Sequence, residues 1–202
     1  MQQRSTPRIV LLAGPGASTN IVYHALEREF GEITVIIEER LSRQQLIKRR
    51  LKKLGVMTVA GQILFMTLAE PWLRKRSRTR IAEIKREYSL DDSPIKTKVI
   101  NVPSVNSDEA RQVLKQLDPQ IVIVNGTRII SKETLAATKV TFINTHAGIT
   151  PTFRGVHGGY WAIAERRPEL AGTTVHLIDT GIDTGGILKQ RTFDISPADS
   201  FA

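Results

Sequence analysis

Residues 8–20 constrain this chain more than any other stretch. Residues 8–13 (RIVLLA) are an apolar run without polar alternation, the pattern of a strand buried on both faces. The run passes directly into Gly14-Pro15-Gly16-Ala17-Ser18-Thr19-Asn20, after which Ile21, Ala25 and Leu26 recur at helical spacing. Strand, glycine-rich turn and helix open the α/β sheets that bind phosphates or dinucleotides. The turn is not a G-x-G-x-x-G, because Thr19 stands where the third glycine would be, and Glu38-Glu39 only faintly match a ribose-binding acid. It reads instead as an anion site made by backbone N–H groups at a helix start, with Ser18, Thr19 and Asn20 as added donors.

The same alternation continues. Residues 32–37 (EITVII), 96–102, 120–125 (QIVIVN), 140–144 (VTFIN), 173–178 (TTVHLI) and about 186–193 read as strands. Helical spacing falls at about 107–117 and 157–166. Strands alternating with helices predict an α/β fold with a doubly wound, mostly parallel sheet. A length of 202 residues accommodates one such domain, taken as 1–202. The absence of cysteine excludes disulfides, thiolate nucleophiles and cysteine-held metal. No 18 consecutive residues are free of polar groups, so a spanning helix is not expected, and the chain is read as cytoplasmic.

Residues 41–90 interrupt the pattern. They hold 13 of the 29 Lys and Arg but 3 of the 20 Asp and Glu, so the net charge of +9 belongs to this segment alone. A nucleic-acid binder would spread its basicity over the fold, and stacking aromatics are scarce here, so nucleic acid is not the expected partner. Ile47, Leu51 and Leu54 recur at helical spacing among Lys48, Arg49, Arg50, Lys52 and Lys53. An apolar stretch follows at 55–73, interrupted by Thr58, Gln62, Thr67 and Glu70, and then a second basic cluster from Arg74 to Arg80. A third helix, capped by Thr79, places Ile81, Ile84 and Tyr88 on one face. The segment reads as a helical insertion. It packs on the sheet or on a second subunit of a homodimer, or else it lies on an anionic membrane surface with Trp72 near the headgroups.

Ligands of an open parallel sheet bind outside the carboxyl ends of its strands. Two segments end there with reactive side chains. VTFIN leads into Asn144-Thr145-His146-Ala147-Gly148, and period two places Asn144 and His146 on one face. An amide and an imidazole converging there suit a developing oxyanion, although a capping Asn and a satisfied loop His give the same spacing. The loop Asp179-Thr180-Gly181-Ile182-Asp183-Thr184-Gly185-Gly186 offers two carboxylates four residues apart. They serve proton transfer or orient an imidazole, or they form turns. The spacing of a Ca²⁺ loop is absent, and no metal is expected.

Asn144-x-His146, Pro151-x-x-Arg154-Gly155 and Asp179-x-Gly181-x-Asp183-x-Gly185, in this order after a strand, resemble the 10-formyltetrahydrofolate-dependent formyltransferase superfamily. That superfamily includes glycinamide ribonucleotide transformylase, methionyl-tRNA formyltransferase and the sugar N-formyltransferases. The resemblance is dense over 140–188, looser at 124–129 and at the first turn, and does not extend to 41–90. It implies a Rossmann-like formyltransferase fold and direct formyl transfer to a primary amine. Asn144, His146 and Asp183 would then be the catalytic residues, with Asp179 structural. It implies 10-formyltetrahydrofolate as donor, held along Asn125, Gly126, Thr127, Arg128, Ile129 and Ile130. It places Ser18, Thr19, Asn20 and Arg154 toward the acceptor. Residues 154–163 look most like sugar-modifying relatives, so the expected acceptor is a nucleotide-linked amino sugar. Glycinamide ribonucleotide, hydrolysis of the formyl-folate by water, and a non-catalytic folate-binding module are the alternatives. Only 19 residues follow Asp183, fewer than the resemblance implies, so the chain is expected to be C-terminally incomplete.

Overall fold

The computed structural model describes residues 7–40, 42–196 and 199. They form two compact units, one of residues 7–39 with 91–195 and one of residues 40 and 42–90 with Ser196 and Asp199. The first unit holds a seven-stranded sheet of order β3-β2-β1-β4-β5-β6-β7. Its strands are β1 Ile9–Ala13, β2 Thr34–Glu38, β3 Val99–Val102, β4 Ile121–Asn125, β5 Thr141–His146, β6 Gly172–Leu177 and β7 Ile187–Thr192. The first five are parallel, β6 runs antiparallel to β5, and β7 antiparallel to β6. The doubly wound, mostly parallel α/β sheet is the fold its sequence pattern predicts.

All five residues of β1 are buried, and alternate side chains feed opposite faces. Val10 and Leu12 join Ile36, Leu114, Val122, Val124 and Phe142 on one side. Ile9, Leu11 and Ala13 join Tyr23, Ile33 and Val35 on the other. Helix α1 (Ala17–Phe30) supplies Tyr23 to the second core. A helix not legible from spacing, Lys132–Ala136, forms where Ser131 accepts the Thr134 N–H. The remaining sheet-unit helices span Asp108–Leu117, capped by Ser107, and Gly158–Ala164.

In the second unit, α2 (Arg43–Leu54) starts from a capping box of Ser42 and Gln45. After Gly55 a single helical run extends from Val56 to Glu87 through a π turn at Phe65–Ala69. Thr79 therefore lies inside a helix, and the expected third helix capped by Thr79 does not exist separately. The helix passes Pro71 without ending. Proline crowds the carbonyl four residues back and donates nothing. The π turn widens the backbone just before it, with the Glu70 N–H reaching the Phe65 carbonyl, so the helix continues. This run is also long and apolar enough, by length and composition alone, to cross a bilayer. The expectation of no such helix rested on uninterrupted apolar runs and is corrected.

Candidate active site

Asn144 and His146 sit on β5, and the antiparallel register sets Asn144 opposite His176 and His146 opposite Thr174. Asp183 enters from the loop after β6. Its carboxylate accepts the Gly155 N–H at 2.9 Å and the Asn144 Nδ2–H at 3.5 Å. The same carboxylate faces His146 Nδ1 at 3.5 Å and His176 Nε2 at 3.4 Å. The three residues singled out from the sequence thus meet around one carboxylate.

The hydrogen positions follow from the partners. His146 Nε2 lies 2.8 Å from the Phe153 carbonyl, which only accepts, so Nε2 carries a hydrogen. When the ring is protonated, Nδ1–H faces Asp183. His176 Nδ1 lies 2.7 Å from the Leu177 carbonyl and must donate to it, leaving Nε2 of the neutral ring to accept from Asn144 Nδ2 at 3.2 Å. Both N–H groups of the Asn144 amide are therefore aimed into the cluster. His146 and His176 are buried, and Asp183 is largely so.

His176 is the site residue that sequence reasoning missed. TTVHLI reads as a core strand, yet its buried face, Gly172, Thr174 and His176, is small and polar. An imidazole on the inward face of such a strand, next to an aspartate loop, was the available signal.

Small residues make the approach of these groups feasible. A Cβ on Gly148 would sit 2.5 Å from the Phe153 oxygen and 2.8 Å from His146 Nε2. Thr174 holds the same loop, donating to the Gly148 carbonyl at 2.7 Å and accepting the Thr150 N–H at 3.1 Å. The aspartate loop is closed by Asp179, which accepts from Thr184 Oγ1 at 2.6 Å and Gly181 N at 2.9 Å. Those two bonds, the Thr184 hydroxyl first, hold the Asp179 carboxyl below the usual carboxylate range. Asp183 itself adopts a positive φ of 51°.

The flanking candidates divide. Arg154 lies between Phe153 and Gly155, the two residues whose backbone holds His146 and Asp183, and its side chain is exposed. Val124 pairs with Asn144, so the turn Asn125–Ile130 leaves the sheet beside the site. Within it Gly126 has φ 64°, Ile129 is exposed, and Thr127 donates to its neighbour's carbonyl. Ile130 packs in the core, while Arg128 binds Glu38 and the Glu39 carbonyl. Asn125 donates to Thr19 Oγ1 at 3.1 Å, and Gly14 closes on Gly126, where a Cβ would meet the Gly126 oxygen at 2.4 Å. At the first turn, Thr19 is buried and donates to the Gly14 carbonyl, and Asn20 donates to the Asp92 carbonyl. Only Ser18 of the three is exposed. Among the described residues no group of His, Asp and Glu is arranged to hold a metal.

A family model described as formyl transferase matches residues 31–202. Curated relatives include the methionyl-tRNA formyltransferase of Caldanaerobacter subterraneus subsp. tengcongensis, 35% identical over 123 residues, covering 56% of this chain and 40% of that protein. The methionyl-tRNA formyltransferase of Clostridium tetani is 35% identical over 119 residues, covering 54% and 38%. The chain thus spans about two-fifths of the length of these relatives. Among solved structures, phosphoribosylglycinamide formyltransferase from Streptococcus pneumoniae superposes with a TM-score of 0.57 at 20% identity, covering 96% of this chain and 86% of that one. A formyltetrahydrofolate deformylase from Pseudomonas syringae superposes at 0.58 with 16% identity, covering 98% and 54%. At those identities the likeness is one of fold.

Proposed function

The chain belongs to the formyl transferase family, and we propose from that premise that it moves a formyl group from 10-formyltetrahydrofolate to a primary amine. The observation that carries this reading is the convergence of the Asn144 amide, two imidazoles and the Asp183 carboxylate within 3.5 Å at β5. The amine nitrogen attacks the formyl carbon, the bond from that carbon to folate N10 breaks, and the amine proton ends on N10. Asn144 stabilises the tetrahedral oxyanion by exchanging its long 3.5 Å bond to Asp183 for it. His146 joins it as a second donor by exchanging the Phe153 carbonyl for the oxyanion. Asp183 takes the amine proton, directly or through one water, and passes it on. The turn Asn125–Ile130, which opens beside Asn144, holds the folate ring through its backbone groups and the exposed Ile129.

The acceptor is a nucleotide-linked amino sugar. Exposed Tyr160 and Trp161 provide ring faces suited to a base, and Arg154 beside the site provides charge for a phosphate. Methionyl-tRNA is the second reading, favoured by the curated relatives. The test is incubation of the full chain with 10-formyltetrahydrofolate and a panel of these acceptors plus glycinamide ribonucleotide, read by mass spectrometry. A formylated acceptor that falls about 10²–10³-fold in rate with Asn144→Ala supports the proposal. Formate released without any acceptor, or folate binding without turnover, overturns it.

A further inference from the structure

The helical run Val56–Glu87 leaves an apolar face uncovered. Met57, Leu64, Leu68 and Trp72 are 86, 60, 65 and 55% exposed, and with Gly61 they recur every three or four residues along one stripe. The polar residues of this stretch are engaged elsewhere. Gln62 accepts from Arg50 of α2, and Glu70 pairs with Arg74 at 2.7 Å. Exposed cations flank the stripe along the chain: Lys48, Lys52 and Lys53 on α2 before it, and Lys75, Arg76 and Arg78 after Trp72, with Arg76 stacked 4.8 Å above the Trp72 ring. Among solvent-exposed helices this is an unusual combination, since a large bare apolar patch marks a contact surface.

We infer that this face lies on an anionic lipid bilayer, with the stripe at the headgroup–acyl boundary and the cations on lipid phosphates. The run is long and apolar enough to cross a bilayer, so the packing of α2 against it decides between lying flat and crossing. The stripe from Met57 to Trp72 covers 16 residues, a rise of roughly 22 Å at about 1.5 Å per residue. Val59 is buried and Gln62 is bonded to Arg50 of α2, so α2 already occupies one side of the run and the stripe meets lipid from the other, which fits a helix lying in the interface. Charge decides the occupant. A second copy would set 13 basic and 3 acidic residues of residues 41–90 against the same set, which repels. A nucleic acid would satisfy the cations and leave the apolar stripe in contact with phosphate and water.

The test is cosedimentation of the full chain with phosphatidylcholine vesicles with and without phosphatidylglycerol. Binding is expected only with the anionic lipid, falling roughly tenfold or more on raising salt to about 0.5 M. Leu64→Glu with Leu68→Glu should abolish it, and Lys52→Glu with Lys53→Glu should weaken it, each with the melting transition of the parent. Trp72 fluorescence should be quenched by lipids brominated in the acyl chain, and Trp72→Phe should remove that quenching. No sedimentation at low salt overturns the inference, as does equal sedimentation of the Leu64→Glu, Leu68→Glu variant or an unquenched Trp72. So does a dimer or a tRNA complex formed without lipid and lost in that same variant.

Discussion

Gly185→Ala should separate the position of Asp183 from the stability of the sheet. A Cβ at Gly185 would sit 1.8 Å from the Leu177 carbonyl oxygen, whereas real Cβ contacts begin near 3.0 Å. The obstacle is the backbone at the end of β6, pinned where the Leu177 N–H meets the Gly186 carbonyl at 2.9 Å. The loop, not the strand, must give way by on the order of 1 Å. Asp183, two residues upstream, then leaves its 2.9 Å bond to Gly155 N and its approach to both imidazoles. A displacement of about 1 Å at a reacting group lowers rate by roughly 10²-fold, equivalent to about 2.7 kcal/mol of barrier. The control is Gly186→Ala, whose Cβ would meet only Leu177 Cδ1 at an ordinary 3.8 Å. Formyl transfer to the accepted amine, measured as kcat and KM with the melting transition of each variant, gives the answer. If Gly185→Ala folds and keeps kcat within about threefold of Gly186→Ala, the loop does not fix the carboxylate and the reasoning fails.

Thr174→Val should destabilise the protein by about 1–3 kcal/mol in denaturant unfolding, because it strips partners from the buried Gly148 carbonyl and Thr150 N–H. Asp179→Asn should show a pH-dependent effect: the folded carboxyl is held low, so its stabilisation is present above the ordinary carboxylate value and is lost as pH falls through the lower folded one. Melting curves of parent and variant should therefore converge in acid. Burial, aided by a 2.6 Å bond to Glu27, pushes the Tyr23 phenol up to about 12. Being raised, it stabilises fully below the ordinary tyrosine value and loses that stabilisation as pH rises through about 12. An ultraviolet titration should lose its last phenolate step in Tyr23→Phe.

The strands were legible because each is a short apolar run bounded by turn residues, and β1 in particular has no polar face to confuse it. The pairing of Asn144 with His146 followed from period two alone. Partners were not legible where they lie far off in sequence. Thr19 and Asn20 read as donors for an anion, but nothing local shows that the Gly14 and Asp92 carbonyls already take those donors. Arg128 likewise reads as a ligand until Glu38, 90 residues away, is seen to accept from it. Thr79 misled because a threonine that can cap a helix is also tolerated inside one. His176 escaped because its importance lies in a strand register, opposite Asn144, that no spacing within TTVHLI encodes.

That register also explains why the site needs its glycine-rich loop. Were β6 parallel to β5, its following loop would emerge at the same edge as Asn144 and His146, as in the rest of the sheet. Instead β6 runs backwards and ends with Leu177 beside Ile143, three residues short of the end of β5. The chain must turn back along the sheet for Asp183 to reach His146 and Gly155. The tight approach of Gly185 to Leu177, the Asp179 closure and the positive φ of Asp183 are the features of that reversal. Asn144, His146 and His176 are thus placed by strands, whereas Asp183 is placed by a loop. Substitutions that move Asp183 should therefore weigh more on proton transfer than on the fold, and substitutions on β5 and β6 should disturb both.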